Sequence, residues 1–586
     1  MFKLLKKFNR KDILIILICI VLISFQVWLD LKLPDYMSKI TTLLQQSDTG
    51  INSILEQGSY MLLCAGGSLL SAIVVGYLAS LLSSTFSKNI RKKIFEKVQS
   101  FSMEEIKKFS TSSLITRTTN DITNVEMLIS MGLQLLIKAP ITAVWAIFKI
   151  LNKSWQWSAI TGVAVLILLT MVVMLMIVVI PKFKIVQKLI DNINGLTREN
   201  LLGIRVIRAF NAEKYQEDKF EEGNVKLTRT QLFNQSMMGI MQPVMYLIMI
   251  CITLAIYFVG AYLINAAGFP DKISIFSDMV VFTSYAMQVI MSFLMLAMIF
   301  IMYPRASVSA DRINEVIETS STINDGEVEE ENYIKGEVEF RNVSFKYPDS
   351  EEYVLKDISF VAREGETVAF IGSTGSGKST LINLVSRFYD ATEGEVLVDG
   401  VNVKDYKLNI LHNKLGYVPQ KAVMFNGSVK YNVAYGDNGK GKASLDKIKE
   451  AVRVAQAKDF VEKMTNMYDA NIARGGTNVS GGQKQRLAIA RAIAKDPEIY
   501  IFDDSFSALD YKTDYILRTE LKKYTKDATC LIVAQRIGTI INADKIIVLD
   551  HGNCVGIGTH KELLKKCSIY KEIAYSQLSK EELENE

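Results

Sequence analysis

Six stretches of about twenty apolar residues, the length that spans a bilayer as a helix, fill the first half of this chain. With soft edges they run Ile13–Leu31, Tyr60–Leu82, Ala139–Leu151, Ser158–Ile180, Met241–Ile264 and Met279–Tyr303. The third is short and extends backwards through Leu128–Ile137. Such a series predicts an all-α membrane body. From Glu337 onward the pattern changes to short apolar strands alternating with charged helical stretches, so at 586 residues the chain divides into two domains.

The first span follows Lys3, Lys6, Lys7, Arg10 and Lys11, as the core of a secretory signal would. It is longer than the ~7–15 residues of such a core, and Lys32-Leu33-Pro34-Asp35 follows it instead of a small-residue cleavage site, so it reads as retained. Long charged connections between spans two and three and between four and five hold Lys88, Arg91, Lys107, Arg117, Lys182, Arg198, Arg205 and Arg208, among others. The opposite connections offer Lys32, Lys39, Lys149, Lys153 and Lys272. This bias puts the long connections, both termini and the second domain on the cytoplasmic side.

Lys138, inside the third apolar segment, is read as marking the inner interface; the alternative is a charge facing a substrate path. Spans five and six are rich in methionine: Met237, Met238, Met241, Met245 and Met249, then Met287, Met291, Met295, Met298 and Met302. A flexible apolar cavity and ordinary helix packing both accommodate that pattern. The six cysteines show no C-x-x-C spacing and read as packing residues. A net charge of +5 gives no case for nucleic acid. Residues 319–336, with Asn324–Glu327 and Glu329–Glu331, read as a solvated acidic linker.

The second domain carries Gly372-Ser373-Thr374-Gly375-Ser376-Gly377-Lys378-Ser379, followed by Thr380, between a buried-strand pattern (Glu366–Ile371) and a helical one (Lys378–Val385). That context makes it a phosphate-binding loop. Its glycines let backbone N–H groups close on phosphates, Lys378 supplies charge at the β and γ oxygens, and Ser379 supplies a Mg²⁺ ligand. Asp503 ends the apolar strand Ile499–Phe502, where a Mg²⁺-holding aspartate belongs. Tyr347 offers a ring to adenine or serves as a strand-edge aromatic. An ATP-binding domain joined to a membrane body is most simply an ATP-driven transporter.

With Val479-Ser480-Gly481-Gly482-Gln483 the chain resembles the ATP-binding cassette (ABC) exporter family, whose signature has leucine in place of Val479. Gln420 in Tyr417-Val418-Pro419-Gln420 matches the family's Q-loop and a metal-ligand position. Ser507-Ala508-Leu509-Asp510 matches the D-loop, and Tyr347 the adenine-stacking aromatic. Leu114–Asp121 and Arg198–Glu213 resemble the coupling segments, and Pro304–Arg312 follows the sixth span as in the family. The resemblance implies two cassettes that sandwich two ATP molecules, each held between one chain's phosphate loop and the other's signature.

The pattern breaks where hydrolysis is expected. Asp504 replaces the usual glutamate after Asp503, shortening the side chain by about 1 Å, a displacement that can cost about 10²-fold in rate. Gln535, in Ala534-Gln535-Arg536, stands where the family's switch histidine is expected, and His412, His551 and His560 are no substitutes by motif. Arg474 takes the place of the usual glutamate before the signature, and Ser505-Phe506 that of Pro-Thr.

The expected architecture is multidomain: a six-helix all-α transmembrane domain (1–310), an acidic linker (311–336), an α/β phosphate-loop nucleotide-binding domain (337–575) and a charged tail (576–586). The expected function is that of a subunit in a heterodimeric exporter of the cytoplasmic membrane. It would use ATP and Mg²⁺ to move apolar or amphipathic compounds outward (drug, lipid or peptide), with hydrolysis mainly at the partner's composite site. Its expected partners are a second half-transporter, membrane lipid and the substrate. A homodimer with slow Asp504-assisted hydrolysis and an ATP-gated channel or regulator are the alternatives. With no peptidase domain ahead of the spans, a peptide-processing exporter is disfavoured.

Overall fold

A computed structural model describes residues 2–5, 8–45, 50–151, 155–268, 271–329, 334–436, 439 and 441–578, without the side chains of Lys184, Ala297, Phe300 and Ile301. Lys6, Lys7, Lys153, Glu330, Glu331 and the tail beyond Leu578 lie outside the described residues. The chain forms two compact units, one of Met1–Gln99 with Ser112–Thr319, the other of Ser100–Thr111 with Ser320–Glu586.

The helices of the first half are α1 (Phe2–Leu5), α2 (Arg10–Gln45), α3 (Ile51–Gln99), α4 (Met103–Phe109), α5 (Thr111–Thr118), α6 (Asn120–Leu151), α7 (Trp155–Ala209), α8 (Glu213–Ala266) and α9 (Asp271–Glu318). Among the described residues six helices are long and apolar enough to cross a membrane. They outrun the apolar spans because polar helix-forming residues continue the same backbone hydrogen-bond ladder past the bilayer. The core of this unit gathers on α9, where Phe282, Tyr285, Val289 and Ile290 pack with Ile23 and Val27 of α2, Ala146 and Ile150 of α6, and Trp157 of α7. Met241, Met245 and Met249 join this packing, whereas Met291 and Met298 stay exposed. The packing reading therefore fits the fifth span better than the sixth.

Charged side chains inside this unit are paired. Lys138 lies 3.2 Å from Asp30, which also accepts a hydrogen bond from Ser68. Five residues further along α2, Asp35 takes Lys149 at 2.7 Å and the Tyr285 hydroxyl at 2.6 Å. Partner numbers rise together, so α2 and α6 run in the same direction. Lys138 therefore sits towards the end of the first span remote from the N-terminus. With the N-terminus cytoplasmic, as the Lys and Arg bias expects, that is the outer end, so the two expectations do not hold together: in an apolar setting the ammonium takes a carboxylate in place of water. A second polar cluster ties α5 and the N-terminal part of α6 to the end of α9. Arg117 Nη1 donates to Glu315 and to the Arg312 carbonyl, both at 2.7 Å, and Asp121 accepts from Ser309 at 2.8 Å.

The other unit is built on strands β1 (Val338–Phe345), β2 (Leu355–Ala362), β3 (Thr367–Gly372), β4 (Glu393–Val398), β5 (Val401–Asn402), β6 (Leu415–Val418), β7 (Gly427–Ser428), β8 (Asn471–Ile472), β9 (Ile499–Asp503), β10 (Thr529–Val533), β11 (Lys545–Asp550) and β12 (Asn553–Gly558). A six-stranded sheet has the order β12-β11-β3-β10-β9-β6, and a four-stranded sheet the order β2-β1-β4-β5. In the first, β11, β3, β10, β9 and β6 are parallel. Strands β9 and β10 are buried along their whole length, which explains why all but Asp503 and Thr529 in them are apolar.

The same unit holds the connection between α3 and α5. Helix α4 opens on a capping box of Ser102 and Glu105, and Glu105 accepts the backbone N–H of Thr322 at 3.0 Å. Burial raises the Glu105 carboxyl, but hydrogen bonds from Ser102 and Thr322 outweigh it and hold its pKa below the usual range. Part of the expected solvated linker is docked instead. Gly326 and Val328 donate backbone hydrogen bonds of 2.9 Å to the carbonyls of Tyr406 and Asp405, and Asp325 accepts from the N–H of Leu408. A Cβ at Gly326 would meet the Asp405 backbone, which is why a glycine serves there.

Removing Lys138 alone strands the Asp30 carboxylate. Lys138→Met should destabilise the purified protein by less than the roughly 3–5 kcal/mol of a fully buried pair, since these side chains stay 30% and 27% exposed. Adding Asp30→Asn should recover most of the loss, as thermal unfolding in detergent would show.

Candidate functional site

Strand β3 ends at Gly372 and the helix Lys378–Val385 begins after the glycine-rich turn, with Gly377 at its N-cap in the left-handed region (φ 97°). Two features of that turn leave no room for a side chain at Gly377. A Cβ there would lie 2.7 Å from Leu355 Cδ2 and 2.9 Å from the Val354 carbonyl. At Gly375, also left-handed (φ 83°), nothing lies within 4 Å. Lys378 is buried and donates to the carbonyls of Gly372 (2.8 Å) and Ser373 (2.7 Å) inside the loop. Burial lowers its pKa, against the pull of Asp504 and Asp503.

Parallel pairing of β10 with β9 sets Val533 opposite Asp503, and pairing with β3 sets it opposite Phe370. The loop after β3, the carboxylates after β9 and the turn after β10 thereby meet at one sheet edge. Ser379 Oγ donates to Asp503 Oδ1 at 2.8 Å. Burial raises the pKa of Asp503, partly offset by the Ser379 hydrogen bond. Burial also raises Asp504, whose backbone is left-handed (φ 47°). One Asp504 oxygen, Oδ2, accepts from Gln535 Nε2 at 2.9 Å and from Gln420 Nε2 at 3.3 Å. The three residues singled out for hydrolysis therefore converge, with two side-chain amides on one carboxylate oxygen. Gln420 is drawn to Asp504 and not to the Ser379–Asp503 pair.

No histidine stands at this edge. His412 Nε2 pairs with the Ser386 carbonyl and His560 Nδ1 with the Tyr570 hydroxyl, while His551 is 91% exposed. Burial lowers the pKa of His412.

The signature forms a second cluster. Ser480 caps the helix Gly481–Lys495, its Oγ accepting the Gln483 N–H at 3.3 Å while Gln483 Oε1 accepts the Ser480 N–H at 2.9 Å. Val479 is buried against the unit's core, and a Cβ on Gly482 would come within 3.3 Å of the Ala508 carbonyl. In the turn after Asp504, Ser507 donates to the Asp504 carbonyl (2.8 Å) and Asp510 caps the next helix by accepting from Thr513 N–H (3.0 Å). Leu509 is buried and Arg474 exposed. Tyr347 shares a hydrogen bond of 3.0 Å with Thr380 Oγ1, tying the aromatic ring to the loop.

Sequence reasoning missed two supports. Gln485, buried in the signature helix, donates to the Pro419 carbonyl (3.1 Å) and so holds the residue before Gln420. Ser505 donates to the Val418 carbonyl (2.9 Å), and Phe506 packs on Phe502 at 5.3 Å. The departure at Ser505-Phe506 thus fills structural roles. Its only sequence signal was a hydroxyl and an aromatic directly after a buried strand.

Fold and site together define an ATP-binding unit joined to a six-span membrane unit. The family model for the ABC transporter matches residues 355–507, and that for the ABC transporter transmembrane region matches 13–293. An uncharacterised ABC transporter ATP-binding protein of Mycobacterium tuberculosis is 38% identical over 527 residues, covering 90% of this chain and 89% of its own. The uncharacterised ABC transporter ATP-binding protein YfiB of Bacillus subtilis is 34% identical, covering 96% of each. An ATP-dependent lipid A-core flippase of Pseudomonas aeruginosa is 30% identical over 87% of this chain and 83% of its own. The fold is that of a bacterial Atm1-family ABC exporter solved with ATP bound, at TM-score 0.80, 23% identity and coverage of 97% of this chain and 99% of that one. The chain belongs to the ABC transporter family, as an exporter-type half-transporter with one membrane unit and one ATP-binding unit.

Gly375→Ala should carry only backbone strain, ~1–2 kcal/mol, and weaken Mg-ATP binding by about tenfold. Gly377→Ala adds the steric clash and should weaken binding further, a ranking that equilibrium binding to the purified chain would check.

Proposed function

We propose that this chain is the degenerate-site subunit of a heterodimeric exporter in the cytoplasmic membrane, moving apolar or amphipathic compounds outward. The observation that carries the reading is the amide-clamped Asp504: Gln535 and Gln420 both donate to one of its two oxygens, Oδ2. A general base needs a free, well-placed acceptor for the proton of the attacking water, and a switch residue at the γ-phosphate gains from positive charge. Here the carboxylate is short, the two amides on Oδ2 fix its orientation, and Gln535 cannot become a cation.

The phosphate-binding half is intact by the same criteria. The loop around Lys378 is preorganised, and Ser379 and Asp503 converge as two hard oxygens, the donor type that Mg²⁺ takes with few protein ligands. Those two are the residues that would hold the ion, and Gln420, which sits on Asp504, would have to turn to join them; when bound the ion neutralises charge on the β and γ oxygens. Tyr347 would stack on adenine. Ser480 and the helix start behind it would face the partner's ATP, with a hydroxyl and backbone N–H groups suited to a γ-phosphate. Membrane orientation follows the distribution of Lys and Arg. Similarity to a lipid A-core flippase supports an amphipathic lipid among the candidate substrates.

ATP should stay bound at this chain's loop through many turnovers of the co-purified pair, measured as nucleotide retained after rapid desalting. Asp504→Asn should slow the pair's ATPase only mildly. Ser480→Ala with Gly481→Asp, which removes a donor and adds like charge at the partner's site, should lower it by roughly 10²–10³. Asp504→Asn proving as damaging as the signature lesion, at equal assembly, would instead make this a hydrolytic subunit and favour the homodimer.

A further inference from the structure

Helix α4 brings a cation onto the ring that the site reading gives to adenine. The Lys107 ammonium lies 4.5 Å from the centroid of Tyr347 and 5.7 Å from that of Tyr389. The two rings are perpendicular, with centroids 5.2 Å apart, and Phe345 meets Tyr347 edge-on at 5.0 Å. Tyr347 is also fixed at its hydroxyl by Thr380, two residues past Lys378. The ring is therefore immobilised by two aromatic neighbours and a hydrogen bond before any base stacks on it.

Other contacts of α4 also hold Lys107 in place. Glu105, buried, is tied to Ser102 and Thr322, and Phe101 stacks on Phe109 at 5.7 Å. Lys107 itself is exposed, and its stem carries the ammonium to the ring face. A cation over an aromatic face is attracted by the ring quadrupole and draws electron density towards itself, which leaves the ring a better partner for an electron-rich base.

We propose that Lys107 is a nucleotide-positioning residue: its ammonium and the adenine of ATP take opposite faces of Tyr347, so base stacking and the docking of α4 stabilise one another. The inference rests on reading Tyr347 as the adenine-facing ring. Because α4 lies in the chain between α3 and α5, nucleotide occupancy is then felt directly by the segment that connects two helices of the membrane unit. By linkage, whatever α4 docking adds to ATP affinity, ATP adds to α4 docking.

The test is equilibrium binding of Mg-ATP and of Mg-tripolyphosphate, which has no base, to the full-length chain purified in detergent. Lys107→Met should weaken ATP binding by about two- to fivefold and leave tripolyphosphate binding unchanged. Lys107→Arg should retain wild-type affinity, and Lys107→Met should add nothing once Tyr347→Ala is present. Equal weakening for both ligands would make Lys107 a simple charge near the phosphates and overturn the proposal. Unchanged ATP binding would overturn it too, as would tighter binding, which would mean that ammonium and base compete for one face. Lys378→Ala serves as the control: if it left ATP binding intact, the reading of the phosphate loop itself would fail, independently of Lys107.

Discussion

Parallel pairing of β10 with β3 on one side and β9 on the other is the constraint on which the nucleotide-binding unit depends. These strands are far apart in sequence, and a parallel ladder can only be closed by long crossovers. Once it is closed, their carboxyl ends share one edge, and the loops that follow them have nowhere else to meet. Gly372, Asp503 and Ala534 all follow from that register. A one-residue slip of β9 would turn Asp503 away from Ser379 and end the arrangement.

The membrane unit obeys a different economy of polar groups. Its apolar helices satisfy their own backbones, so what remains to be placed is charge. Asp30 with Lys138, Asp35 with Lys149 and Asp121 with Ser309 are each neutralised or hydrogen-bonded between helices. Such pairs add little net stability, but they make one helix register much less costly than its neighbours, because any slip separates a charge from its partner. Met291 and Met298 remain exposed on α9, outside this pairing scheme.

Local signals were legible in the sequence and long-range ones were not. Six spans could be read because about twenty apolar residues in a row have one interpretation, and the phosphate loop because strand, glycines and helix are contiguous. The helix bounds exceeded the spans because a helix does not stop where hydrophobicity does. The pairing of Lys138 was not legible because its partner, Asp30, is more than a hundred residues away and no spacing rule links them. The docking of Asp325, Gly326 and Val328 was hidden for a similar reason: an acidic, glycine-containing run looks solvated until Tyr406 is beside it. At the site, sequence gave the identity of Asp504 and Gln535 but not their hydrogen bond, and gave no hint that Gln485 steadies the Gln420 loop.

Ser480 carries two obligations on one oxygen. As an N-cap its hydroxyl accepts from Gln483, which uses a lone pair and leaves the hydroxyl proton unspent. The same atom can therefore close its own helix and donate outward simultaneously, with no rearrangement between the two tasks. A residue in that position is held by selection for folding even when nothing is asked of it catalytically. Asp504 spends its carboxylate differently, on the side-chain amides of Gln535 and Gln420 and not on capping a helix. Within one chain, then, the signature serine is tied to the integrity of a helix, whereas the Asp504 carboxylate is tied to two side-chain amides.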